Sequence, residues 1–388
     1  MNISKILLLA IPVYFMQGSF FEPGGSLAKI INIIWILFIF VYTIKYLKIE
    51  RNDRIGNTII LFWLVLSINW LLSPKIVIGH NYDSFHTFGE YKNLTFALMT
   101  YFPFAYLIRI GVYRSREMLF FAFLSFISCL ICFWVKQSLA METMFWTENV
   151  TNNAGYMLAT VLPLLGILMG LGKRKYFYIA LVVSVILVSF SVKRGAIVCL
   201  IIILFCFWYS FFYMSKSENR QLAFRNLLGA LIVLGLLVLG VYYVASTNKY
   251  LLLRMQDMLE GNSSGRDVLA ESLIKAYDNF LIEEQLFGKG LLQSIHISGN
   301  YAHSDWLELL IDGGILGLFV YILLFKNIMF YYIENRIVMS SACKFIVLSV
   351  LLSWFAKSIF SMGFFVPESC LYLVAISCTS YLSELNKE

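Results

Sequence analysis

The chain has 388 residues, of which 60% are hydrophobic and only 14% charged, with a mean hydropathy of +0.77. A soluble domain carries about a quarter charged residues, so this composition excludes one large water-soluble core and points to a polytopic membrane protein. The formal net charge of +7 does not mark a partner of nucleic acid, because Lys and Arg are scattered through short connections, where they set topology.

A membrane span needs about 20 mostly apolar residues. In chain order such runs fall near 4–20, 27–46, 57–73, 92–110, 118–136, 153–172, 176–192, 195–214, 226–246, 306–329, 344–361 and 368–383. They predict an all-α membrane protein of about twelve transmembrane helices, a single membrane domain over 1–388. The first run, MNISKILLLAIPVYFMQG, has one basic residue and no small-residue cleavage site, which makes it a retained helix rather than a signal peptide. Aromatic residues, 17% of the chain, suit membrane interfaces. Cys129, Cys132, Cys199, Cys206, Cys343, Cys370 and Cys378 all fall in apolar runs, so the Cys129–Cys132 pair reads as buried and inert.

Orientation follows from the short loops. With the N-terminus inside, the cytoplasmic connections hold Lys45, Lys48, Arg51 and Arg54; Arg109, Arg114 and Arg116; Lys173, Arg174 and Lys175; Lys216, Arg220 and Arg225; and Arg336 and Lys344. The opposite connections hold FEPGGS, the 74–91 loop with Asp83 and Glu90, and METMFWTENVTNN. Lys193 and Arg194 are the exception to the positive-inside rule, since their junction falls on the outer face. The large loop near 247–305 faces outward as well, and both termini are cytoplasmic.

Within that loop, 266–281 reads as an amphipathic helix. Val268, Leu269, Ser272, Leu273, Ala276, Tyr277, Phe280 and Leu281 recur at helical spacing, with Asp267, Glu271, Lys275 and Asp278 facing away. Such a helix suits the outer headgroup level. A turn at 261–265 precedes it, and Gly288 and Gly290 break the pattern behind it.

Three residues of this outer side are the catalytic candidates: Arg194, Arg266 and His303. A charge at bilayer depth costs roughly 2.5–3.5 kcal/mol, and a lipid phosphate or diphosphate is the natural partner of a guanidinium there. Snorkelling to ordinary headgroups is the plainer account of Arg194. For Arg266, which opens a helix where the dipole disfavours a cation, the plainer account is an ion pair with Asp267 or Glu271. An imidazole titrates near pH 6.5 and can accept a proton from a sugar hydroxyl. His296, by contrast, reads as incidental. Lys193, Lys357, Asp305 and Glu308 are weaker candidates for binding a diphosphate or glycan, and Lys136 could add to the rim. A metal held by His303, Asp305 and Glu308 is an alternative, but no recognised ligand spacing is present, and no metal or cofactor is expected. Asp305, Glu308 and Asp312 share one helix face, where complementing the dipole is reason enough for them.

At these residues the chain resembles the superfamily of O-antigen polymerases and O-antigen ligases. VSFSVKRGAIVCLIIIL is similar to the family's Ser-x-Arg-Gly-type junction, filled by Arg194 and Gly195. SSGRDVLAESLIKAYDNFLIEEQLFGKG resembles its Arg-led helix ending in a Gly-x-Gly turn, here Arg266, Gly288 and Gly290. NYAHSDWLELLIDGGILG resembles a His that opens a helix with a Gly-Gly-x-x-Gly element, here His303, Gly313, Gly314 and Gly317. TNNAGYMLATVLPLL is a weaker echo. The core of the resemblance covers 185–325 and includes the outer loop 247–305. Ser304 stands where many relatives have Asn, and Leu286-Phe287 where many have Pro.

The resemblance implies metal-independent glycosyl transfer at the outer face of the bacterial cytoplasmic membrane. The donor is a glycan on undecaprenyl diphosphate, which Arg194 and Arg266 would hold while His303 serves the acceptor hydroxyl. The expected activity is a polymerase of O-antigen, capsule or exopolysaccharide, with a flippase and a chain-length regulator as possible protein partners beside membrane lipids. The alternatives are an O-antigen ligase that moves finished glycan to lipid A-core or another acceptor and, from another class, a lipid-linked oligosaccharide transporter. A transporter should carry ionisable residues near the midplane, whereas these charges gather at the outer rim.

Overall fold

The computed structural model describes residues 8–9, 11–16, 26–72, 84–143, 153–191, 193–213, 228–229, 232, 235, 238–239, 242–243 and 265–385. Among them every regular element is helical. In chain order these are α1 (Ser26–Ile49), α2 (Arg54–Leu72), α3 (Ser84–Met99), α4 (Tyr101–Arg109), α5 (Ser115–Thr143), α6 (Ala154–Gly170), α7 (Arg174–Phe190) and α8 (Arg194–Trp208), which runs on into a π turn at Tyr209–Tyr213. After the segment 244–264, outside the described residues, come α9 (Arg266–Asp278), α10 (Ile282–Phe287), α11 (Gln293–Ser298), α12 (Asp305–Asn335), α13 (Ser341–Phe360) and α14 (Cys370–Leu385).

Six of the described helical segments are long and apolar enough to cross a membrane: 29–49, 54–71, 115–136, 194–211, 305–335 and 341–360. The protein is therefore an all-helical membrane protein. Ile30, Ile33, Ile34, Leu37, Val41 and Ile44 of α1 are all exposed, as suits a helix whose solvent is lipid. The expected runs at 4–20 and 226–246 lie largely outside the described residues.

One expected span is divided. The apolar run at 92–110 bends at Thr100 into α3 and α4, because Pro103 has no amide proton and its ring crowds the Met99 carbonyl four residues back. Otherwise the apolar runs and the helices coincide to within a few residues.

The centre of the bundle is α6, buried from Ala154 to Met169. It packs against α5, α7, α8, α13 and α14. Close approach is allowed by small residues: a Cβ on Gly166 would stand 2.7 Å from Ile346 Cγ1 and 2.8 Å from Phe345 Cδ1 of α13. All seven cysteines are free and buried.

The polar segment that leads into α12 has a small core of its own. Leu273, Phe280, Ala302 and Ile311 are buried together, with Leu269, Ala276, Tyr277, Ile297 and Leu307 against them. The amphipathic helix expected over 266–281 is α9, which stops at Asp278; α10 follows from Ile282. Val268 and Leu281, expected on the packed face, are 72% and 67% exposed, because that face points to Ile311 of α12 and not to them.

Candidate functional site

The loop is hung on one face of α12. Asp305, Glu308 and Asp312 are wholly buried there, and each receives backbone or hydroxyl hydrogens from a different segment. Asp312 Oδ2 and Oδ1 accept the amides of Leu292 and Gln293, at 2.8 and 3.0 Å, where α11 begins. Glu308 Oε2 accepts the Ala302 amide at 2.8 Å and its Oε1 accepts the Ser294 hydroxyl at 2.5 Å. Asp305 Oδ1 takes the Gly363 amide at 2.6 Å, and its Oδ2 takes the Tyr321 hydroxyl at 2.6 Å. Buried charge of this kind is tolerated only when so satisfied. Asp305 and Glu308, expected as weaker ligand contacts, are wholly buried and hold these segments in place.

A second clasp joins the two glycine motifs. Gly314 has φ 61° and ψ −164°, which turns the α12 ladder out of register. Lys289 and Gly290 then donate their amides to the carbonyls of Ile311 and Asp312, at 2.9 and 3.0 Å. The approach needs glycine on both sides: a Cβ on Gly314 would stand 2.5 Å from the Gly288 nitrogen, and one on Gly288 would overlap the Asp312 carbonyl.

These anchors deliver His303. The residue has φ 55°, a left-handed conformation that costs a β-carbon about 1–2 kcal/mol. It is held there from both sides, by the Glu308 bond to Ala302 and by a 3.4 Å bond from Ser304 Oγ to the Ser358 carbonyl. Strain kept in place by its surroundings is common at functional sites. The side chain is half-buried, and its pKa lies below the ordinary 6.5 because burial, then Arg266, then Lys193 disfavour the imidazolium. The imidazole is therefore neutral at pH 7.

Arg266 opens α9 behind Gly265, whose φ of 81° turns the chain into the helix. Its Nη1 donates to the Phe360 carbonyl at 3.0 Å. Phe360 is the last residue of α13, where carbonyls lack helical partners and favour a cation. Arg194 opens α8, with Lys193 beside it. Gly195, the next residue, packs directly against the hydroxyl of Tyr156 at the start of α6.

The C-terminal end of α13 is thus a hub. Lys357, only 1% exposed, sets its ammonium 3.3 Å from Glu368 and 5.4 Å over the Tyr156 ring. Ser358 takes the Trp306 indole proton at 3.0 Å. Residues from four distant segments, Arg194, Arg266, His303 and Lys357, meet at one end of the bundle. The chain matches no protein-family model and no curated protein.

Several candidates fall elsewhere. His296 and Lys136 are exposed, the former on α11 and the latter on α5. Among the described residues no three His, Cys, Asp or Glu side chains come together as a metal-binding group. A cavity of about 430 Å³ lies at the opposite end of α12, lined by Asp53, Arg54, Arg109, Asn327 and Glu334 among others. Arg54 pairs there with Glu334 at 2.7 Å and Arg109 with Glu50 at 2.9 Å, while Asp53 accepts the hydroxyls of Tyr46 and Tyr101.

Sequence reasoning missed Tyr156 and Glu368. Tyr156 stood inside the quoted TNNAGYMLATVLPLL, yet a lone aromatic in an apolar run carries no signal of its own. Only the Gly on either side of the contact, Gly155 and Gly195, hinted at close packing.

Proposed function

We propose that this protein is a polysaccharide polymerase that transfers an undecaprenyl-diphosphate-linked glycan onto the next lipid-linked repeat unit. In this reading it crosses the bacterial cytoplasmic membrane about twelve times, with both termini inside and the 247–305 loop outside. It belongs, on the same reading, to the O-antigen polymerase and ligase superfamily.

One observation carries the proposal: Arg194, Arg266 and a neutral His303 come from separate segments to the same end of the bundle. The acceptor hydroxyl oxygen attacks the anomeric carbon of the donor sugar, and the bond from that carbon to the diphosphate oxygen breaks. Undecaprenyl diphosphate leaves with the bonding electrons, and its added negative charge is met by the two guanidinium groups. His303 takes the hydroxyl proton, which its depressed pKa leaves it free to do at neutral pH. A single displacement inverts the anomeric centre. The arrangement serves a ligase equally, and the accumulated product separates the two.

The test is complementation of a strain lacking the gene. Single repeat units left on the carrier in that strain mark a polymerase, and long chains left on the carrier mark a ligase. Alanine at Arg194, Arg266 or His303 should abolish long-chain product while membrane insertion stays intact. Full polymer length in all three variants would overturn the proposal.

A further inference from the structure

Tyr156 is 8% exposed, and its hydroxyl fills the space that Gly195 leaves open beside Arg194. A Cβ on Gly195 would overlap that hydroxyl and stand 2.9 Å from the ring carbon Cζ. The fit is mutual. A Cβ on Gly155 would stand 2.7 Å from Ser191 Cβ and 3.5 Å from Ala196 Cβ, so the first turn of α6 and the 191–196 junction interlock at two points.

The ring lies under the ammonium of Lys357, three residues before Phe360 in the last turn of α13, and the Phe360 carbonyl holds Arg266. Tyr156 therefore touches the neighbour of one guanidinium and packs on the helix end that anchors the other. A phenol has only two rotatable bonds, and this one is fixed at ring and hydroxyl, with the Lys357 ammonium 5.4 Å over its face. Such a strut transmits position from α13 to the start of α8 with little play.

We propose that Tyr156 is a positioning residue of this site, whose hydroxyl, seated at Gly195, and whose ring, under Lys357, space Arg194 and Arg266 to engage both phosphoryl groups of one lipid diphosphate. The inference rests on the polyprenyl-diphosphate reading above. Its consequence is selectivity. Two cations at a set spacing reward a diphosphate over a monophosphate, and a loosened strut loses that difference while each cation still attracts a single phosphate.

The experiment uses the purified full-length protein in nanodiscs, with undecaprenyl diphosphate and undecaprenyl monophosphate as probes. Binding is read by native mass spectrometry, and thermal unfolding is followed in parallel. Wild type should prefer the diphosphate. Tyr156→Phe and Gly195→Ala should bind the diphosphate about tenfold more weakly, since the first removes the hydroxyl seated at Gly195 and the second displaces it, and bind the monophosphate as before. Preference retained by both variants but lost in Arg194→Ala overturns the role of Tyr156 and leaves the diphosphate site standing. No preference in wild type, or none lost in Arg194→Ala, overturns the site itself. Tyr156→Phe that unfolds, or weakens both lipids equally, makes the phenol a packing residue and ends the proposal.

Discussion

Arg266 donates from Nη1 to the carbonyl oxygen of Phe360 at 3.0 Å, a contact between the start of α9 and the end of α13 across 94 positions of sequence. It places a planar, permanently charged group against the last turn of a bundle helix while other nitrogens of the same guanidinium remain to meet an anion. Lysine has the charge without the fork. Arg266→Lys should therefore keep membrane insertion and thermal stability but lose roughly tenfold or more in turnover, since one ammonium cannot serve carbonyl and phosphate in the same geometry. Lipid-linked chain-length assays check this, and full turnover would mean that charge alone suffices.

His303 sets the pH dependence. Only the neutral imidazole accepts a proton, and its pKa lies below 6.5 through burial, Arg266 and Lys193, in that order. In the proposed mechanism the protonated form cannot serve as the base, and its formation is delayed to lower pH, so the rate should stay level from neutral pH down to about the ordinary histidine value and fall only beneath it. Lys193→Gln removes one neighbouring cation, so the imidazolium forms more easily and the acid limb should move to higher pH. A pH–rate profile of both proteins reads the shift, and a move to lower pH would contradict the assignment.

Gly288 is the pin of the loop. Its φ of 79° disfavours any side chain, and a Cβ would overlap the Asp312 carbonyl against which it sits. Gly288→Ala should destabilise the loop by roughly 1–3 kcal/mol and detach the turn from the α12 break. Faster proteolytic nicking between α9 and α12, with the bundle intact, is the expected signature. Unchanged protection would mean that the turn can relocate without penalty.

The Lys357–Glu368 pair tests whether the hub tolerates an unmatched charge. Lys357→Met leaves Glu368, whose side chain is 14% exposed, without its ammonium, and should cost roughly 3–5 kcal/mol. The double variant Lys357→Met, Glu368→Gln removes both charges and should recover most of the melting temperature. Equal losses in single and double variants would show that the pair contributes only by shape.

Much of the fold could be read directly from residue order. Nine of the twelve apolar runs coincide with one described helix each and a tenth is divided at Thr100, because a backbone in lipid must satisfy its own hydrogen bonds and a run of about 20 apolar residues leaves it little choice but a helix. The division at Thr100 was visible in Pro103 but outweighed by hydropathy. Arg194 was legible as a cation on the wrong side of the topology pattern, and Arg266 as one at the wrong end of a helix.

The three carboxylates show the opposite case. Asp305, Glu308 and Asp312 lie on one helix face in any reading, yet spacing is silent on whether that face meets ligand, solvent or loop. Their burial under Ala302, Leu292, Gln293 and Gly363 decides it.

Local chemistry, then, determined by itself that this chain is a helical membrane protein with one long polar loop and a small set of cations that break the pattern of the rest. Its spans, its breaks at Gly and Pro and the amphipathic course of the loop all follow from interactions a few residues long. The meeting of Arg194, Arg266, His303 and Lys357 is of another kind. It depends on which helices are neighbours, and that is settled by side-chain volume at contacts such as Tyr156 with Gly195 and Gly288 with Gly314, between residues far apart in the chain.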